Sequence, residues 1–103
     1  MRKPRFPIVA RVEWRLEGSV IRYRTTTRDI SETGVLVDAL DPPSVGAPVE
    51  LRLGTRCIRL RGTVARAARD YVAIRLTDPM DATRRRLRRY LRTAEGRIAL
   101  APT

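Results

Sequence analysis

At 103 residues the chain has room for one hydrophobic core and one domain. It has no histidine and a single cysteine, Cys57, which removes the commonest general base, any disulfide framework and any zinc-type ligand spacing. The 22 basic residues against 11 acidic ones leave a net charge of +11, and that imbalance points to an anionic partner: a nucleotide, a nucleic acid or an acidic protein surface.

Taken in chain order, residues 1–7, MRKPRFP, are basic and hold two prolines, which disfavour a helix and predict an extended, flexible arm. Residues 8–16 alternate, with Ala10, Val12, Trp14 and Leu16 on one face and Arg11, Glu13 and Arg15 on the other. Glu17-Gly18-Ser19 reads as a turn and residues 20–27 as the returning strand, Ile21 and Tyr23 lying opposite Arg22 and Arg24. Trp14 offers a flat ring on which a base could stack. Its place on the apolar face favours core packing instead.

Residues 29–34 form a polar turn, followed by a short apolar strand at 35–39. The prolines and glycine of residues 40–48, LDPPSVGAP, mark a loop. Residues 49–53 alternate strictly, Gly54-Thr55 turns the chain, and residues 57–66 alternate again with Ile58, Leu60 and Val64 inward. Gly62 shares that inward row, which predicts a bulge or a tight barrel corner. Cys57 in such a strand reads as an inert, half-buried thiol. After a turn at Arg69-Asp70, residues 71–76 supply a last strand with Val72, Ile74 and Leu76 inward.

Six short, evenly spaced strands with one apolar face each predict a closed or nearly closed antiparallel barrel. Residues 77–81, TDPMD, break the pattern, and Asp78 or Asp81 is placed to cap a helix. Residues 82–94 carry Leu87, Tyr90, Leu91 and Ala94 at helical spacing, with Arg84, Arg85, Arg88, Arg89 and Arg92 around them. Gly96 closes this helix. Its apolar stripe should plug one mouth of the barrel or pack along its side. The expected organisation is an arm at 1–7, a barrel with its helix (about 82–95) over 8–95, and a loosely ordered tail at 96–103.

Charge is unevenly placed. Residues 1–51 hold 8 basic and 7 acidic groups, whereas residues 52–103 hold 14 and 4. Lys3 is the one lysine, so the basicity is that of arginine. The guanidinium fork suits phosphate oxygens and the O6/N7 edge of guanine, and it stacks on flat rings. No P-loop, no G-x-G-x-x-G and no cluster of carboxylates is present, so the sequence points away from an enzyme, a metal site or a resident cofactor. No apolar run reaches membrane-spanning length and no apolar signal segment follows the basic start, so a cytoplasmic protein that does not insert into a membrane is expected.

The most informative stretch is residues 27–37, TRDISETGVLV. Asp29, Ser31 and Gly34 stand at D-x-S-x-x-G spacing between β-branched and apolar runs. Asp and Ser side chains bond nearby backbone N–H groups and so hold turns. Gly34 can take φ > 0 or admit a close neighbour to the backbone. This turn, with the basic Arg2-Lys3-Pro4-Arg5 ahead of the first strand, resembles the PilZ domain, a small β-barrel family that binds the bacterial second messenger cyclic di-GMP. The resemblance spans nearly the whole chain. It implies an all-β, six-stranded antiparallel PilZ-like barrel with one C-terminal helix, acting as a single-domain cyclic di-GMP receptor.

On that resemblance Arg2 and Arg5 grip phosphates and guanine. Asp29 and Ser31 read a base: a carboxylate can accept from the guanine N1–H and amino group, and a hydroxyl adds a bond of either polarity. Gly34 keeps the turn tight, and Lys3 and Arg28 are further candidate contacts. One departure stands out. The family arm is R-x-x-x-R, and counting back from Arg5 reaches Met1. Either Arg2 or Lys3 substitutes, or one clamp is missing, which would cost about 1.5–3 kcal/mol. Ligand binding is expected to change the surface shown to a protein partner. The family's known settings are motility, attachment, polysaccharide export and virulence, with no choice among them. The alternatives are an adaptor that docks an acidic protein surface without the dinucleotide, and a nucleic-acid-binding barrel using the arginines of residues 84–92 and of the strands. Oligomeric state is left open.

Overall fold

The computed structural model describes residues 10–40, 42–54, 58–77 and 81–92. Alternation at period two becomes six strands: β1 (Arg11–Leu16), β2 (Tyr23–Ile30), β3 (Gly34–Asp38), β4 (Pro48–Leu53), β5 (Ile58–Ala67) and β6 (Tyr71–Thr77). One helix comes after them, α1 (Asp81–Arg92). The strands close in the order β1-β2-β3-β6-β5-β4, and every neighbouring pair is antiparallel. Closure leaves no sheet edge unpaired. The six-stranded barrel with a C-terminal helix expected from the sequence is therefore the fold.

Inward rows fill the barrel. Val12 and Trp14 from β1, Val35 and Val37 from β3, Leu51 and Leu53 from β4, and Val72 and Ile74 from β6 are all buried in one core. Trp14 stacks on Tyr23 at a ring separation of 4.6 Å, so the tryptophan is a core residue and not a platform for a base. The start of β1, the end of β2, the start of β3, the end of β4, the start of β5 and the end of β6 share one mouth. Helix α1 covers that mouth. Leu87, Tyr90 and Leu91 enter the core, Tyr90 lies against Gly54 after β4, and Arg88 bonds Glu32 between β2 and β3. Of the four residues of the helix's expected apolar stripe, Ala94 lies outside the described residues, as do Cys57, Asp78 and Gly96.

Two expectations change. The apolar pattern places the second strand at residues 20–27, and it runs instead from Tyr23 to Ile30. Trp14 pairs with Tyr23, so residues 17–22 are all loop, and Ile21, expected on the strand's apolar face with Tyr23, stands 59% exposed beside Val20 at 90%. Alternation continues through this loop, and only cross-strand pairing ends it. Gly62 has no bulge. The irregularity of β5 falls between Val64 and Arg66. A Cβ at Gly62 would sit 2.5 Å from Ile74 Cγ2 and 2.6 Å from the Arg75 carbonyl oxygen, so the glycine serves the close approach of β6.

Candidate functional site

The D-x-S-x-x-G segment is built from a bulge and a tight turn. β2 continues through Asp29 to Ile30, so Asp29 belongs to the strand and the turn is confined to residues 31–33. The β2–β3 register slips between Thr27 and Asp29. Thr27 and Ile30 are both buried although three positions apart. Strict alternation would have turned Asp29 into the barrel. The extra residue at Arg28 lets Arg28 and Asp29 both face outward.

Ser31 is 1% exposed, and its hydroxyl organises the turn. The Ser31 N–H donates to the Gly34 carbonyl at 2.8 Å. Ser31 Oγ accepts from the Gly34 N–H at 3.0 Å and the Thr33 N–H at 3.2 Å. Its own hydrogen is shared with Thr33 Oγ1 or the Gly34 carbonyl. This is the local reason for a serine here: three residues of turn would otherwise leave buried backbone groups without partners. Gly34 sits in β3 opposite Arg75, and a Cβ would meet the Ile74 carbonyl oxygen at 3.1 Å. Of the two uses open to this glycine, close approach is the one it serves.

A second device ties the N-terminal arm to this place. The Ala10 N–H donates to Thr27 Oγ1 at 2.9 Å, and the Thr27 N–H donates back to the Ala10 carbonyl at 2.9 Å. Thr27 is buried, so the clasp is shielded from water. The chain ahead of Ala10 therefore departs from a fixed point two residues from Asp29. Arg2, Lys3 and Arg5 lie outside the described residues. From Ala10, five residues of extended chain span at most about 17 Å and eight about 28 Å, enough to cross the neighbouring face.

That face is the outer surface of β2, β3 and β6. Asp29 stands opposite Leu36, and Leu36 opposite Ala73. Gly34, Leu36 and Ala73 make a low, largely apolar floor. Asp29, Arg75 and Tyr71 rise around it, with Arg66 opposite Ala73 on β5. Arg66 lies over the Tyr71 ring at 5.7 Å and Arg28 over the same ring at 5.2 Å. Arg28 also bonds Asp38 at 2.5 Å and Asp70 at 3.3 Å. The Asp38 bond is the main reason its pKa rises above the ordinary arginine value, partial desolvation acting the other way. Arg28 thus braces β2, β3 and the β5–β6 turn.

The structure brings Asp29, Ser31, Gly34 and Arg28 together beside the root of the arm. Sequence reasoning missed Thr27, Leu36, Tyr71, Ala73 and Arg75. Their signal lies in strand register, which pairs residues some forty positions apart and has no trace in local spacing. Among the described residues no cluster of metal-ligating side chains occurs, and no helix is long and apolar enough to cross a membrane.

Comparison with known proteins bears on the family and the fold. A family model described as the PilZ domain matches residues 1–93. No curated protein matches the chain. Among solved structures, the chain is similar to the Bacillus subtilis inhibitor of motility MotI/DgrA, with a TM-score of 0.69 and 20% identity over 87% of this chain and 48% of that one. It is also similar to the PilZ domain of CeSA from a cellulose-synthesizing bacterium, with a TM-score of 0.69 and 20% identity over 84% of this chain and 93% of that one. The chain thus spans about half the length of MotI/DgrA and nearly all of the CeSA domain. At such identity the likeness is one of fold.

Proposed function

This chain belongs to the PilZ domain family, generally a cyclic di-GMP-binding and regulatory domain rather than a catalytic one, and from that premise we propose that it is a cyclic di-GMP receptor. The dinucleotide lies on the outer face of β2, β3 and β6. Asp29 accepts from the N1–H and amino group of one guanine, a pattern a cation cannot supply. Arg2 and Arg5, with Lys3 beside them, fold over the ligand and take its phosphates and guanine edges with charge-assisted bonds. Ser31 and Gly34 act by shaping the turn, and Arg28 by bracing Asp38 and Asp70 beneath the ligand. Binding orders the arm and alters the surface offered to a partner protein.

The observation that carries this reading is the Ala10–Thr27 clasp, which roots the basic arm two residues from Asp29. Isothermal titration with cyclic di-GMP tests it. Saturable binding is expected, weakened by about one to two orders of magnitude in Arg5→Ala and in Asp29→Ala. A flat titration at high micromolar ligand overturns the reading and leaves the partner-docking adaptor. The shift of the first arm arginine to position 2 predicts affinity on the weak side for the family.

A further inference from the structure

The ion pairs of this barrel draw one partner from β1, β2 or the β2–β3 turn. Glu13 takes Arg22 and Arg24, Glu50 takes Arg15, Asp38 and Asp70 take Arg28, and Glu32 takes Arg88. The outer face of β4 and β5 holds one of these acids, Glu50, opposite Arg61 in the ladder, among an excess of arginines. The side chains of Arg52, Arg59 and Arg61 form no hydrogen bond or ion pair among the described residues. Arg61 and Arg52 feel the charge of Glu50 only through space. Arg52 stands directly opposite Arg59 in the ladder, a like-charge pair that repels across the sheet. Arg61 follows Arg59 on the same outward row, about 6.7 Å further along the strand, close to the step between neighbouring phosphates of a nucleic-acid strand.

These three arginines line a groove of about 490 Å3 that also takes in the Arg15–Glu50 and Arg22–Glu13 pairs, Thr77 of β6 and Thr83 of α1. From its rim α1 extends the cationic surface with exposed Arg85, Arg86 and Arg89. Large exposed apolar side chains are found elsewhere among the described residues. Val20, Ile21, Tyr23, Leu40 and Val45 all lie toward the mouth opposite α1.

We propose that the β4–β5 face and α1 form a binding surface for the phosphate backbone of a nucleic acid, read without regard to base sequence. Guanidinium forks match phosphate oxygens, and a phosphate lying between Arg52 and Arg59 turns their repulsion into shared attraction. Trp14 lines the groove but is buried and stacked on Tyr23, so it offers no open platform, and contacts are to the backbone and not to stacked bases. A membrane-seeking surface sets apolar side chains beside its cations, and a protein interface centres on an apolar or aromatic core. Neither feature is open at this surface, because Leu51, Leu60 and Leu76 line the groove only from the buried core. Its β4–β5 part lies across the barrel from β2 and β3, and the surface uses none of the residues assigned to cyclic di-GMP, so the two proposals stand or fall separately.

Fluorescence anisotropy of a labelled single-stranded oligonucleotide with the full chain, between about 50 and 200 mM salt, tests this. The double variant R59Q/R61Q is expected to lose about tenfold in affinity, and its log–log salt slope to shrink by about 1.4. Arg52→Gln weakens binding in the same direction. The variant R24Q/R69Q, which removes the same charge at the mouth opposite α1, outside the groove, leaves affinity nearly unchanged. The melting temperature of R59Q/R61Q should stay near that of the parent, since both side chains are exposed and the relief of the Arg52–Arg59 repulsion is offset by the loss of Arg61 beside Glu50. Equal losses in the two double variants, absence of binding at the lowest salt, or equal binding to polyglutamate or anionic vesicles overturns the proposal.

Discussion

Ser31 shows how one side chain can decide a turn. Its hydroxyl serves the N–H groups of both Thr33 and Gly34, and it is buried where no water can replace it. Ser31→Ala leaves those donors short of a partner and is expected to destabilise the fold by about 1–3 kcal/mol, measured by urea unfolding. A loss of cyclic di-GMP affinity in this variant should follow the loosened turn rather than a missing ligand contact. Asp29 is the opposite kind of residue, in a strand but turned outward by the bulge, and its replacement should weaken the dinucleotide, read by isothermal titration. The serine, the aspartate and their spacing are legible from the chain alone. That Ser31 works inward and Asp29 outward is not, because the bulge at Arg28 is a property of the pairing between two strands.

At the level of elements, the strands with strict alternation, β4 and β5, fall close to where their patterns place them. β2 does not, because Val20 and Ile21 extend an apolar rhythm into a loop that only the Trp14–Tyr23 pairing brings to an end. The helix is legible from its stripe, and its start from the break at residues 77–81. Which part of the barrel it covers becomes clear only from Tyr90 against Gly54 and Arg88 with Glu32. Leu87, 1% exposed, seals the mouth from the helix side. Leu87→Ala is expected to cost about 2–5 kcal/mol, read as a lowered melting temperature. Since Arg88 of the next position bonds the β2–β3 turn, the same variant should also raise amide exchange at residues 31–33.

Across the whole molecule, the imbalance of charge seen in the sequence becomes a division of the surface. Acidic residues cluster with arginines around β1, β2 and the β5–β6 turn, and the β4–β5 face with α1 is left cationic. The Arg15–Glu50 pair marks the boundary. Arg15 Nε donates to Glu50 at 2.8 Å, and this bond, opposed by desolvation and aided by the charges of Arg61 and Arg52, holds the Glu50 carboxyl below its ordinary value of 4.5. A carboxylate with a lowered folded-state pKa stabilises the fold above the unfolded value and loses that contribution as pH falls through the folded one. Glu50→Gln should therefore melt lower than the parent at pH near 7, and the difference should close as the solution is acidified below 4.5.

The barrel and its helix can be read from alternation and one apolar stripe, and the turn from three spaced residues. The face that the turn serves cannot, because Leu36, Ala73 and Arg75 meet Asp29 and Gly34 only through register. The most direct measurement is a backbone amide NMR titration of the full chain with cyclic di-GMP. A receptor built in this way shows shifts confined to the arm, residues 27–36 and the facing positions of β6, with β4 undisturbed. Shifts centred on β4 and β5, or none at saturating ligand, would contradict it.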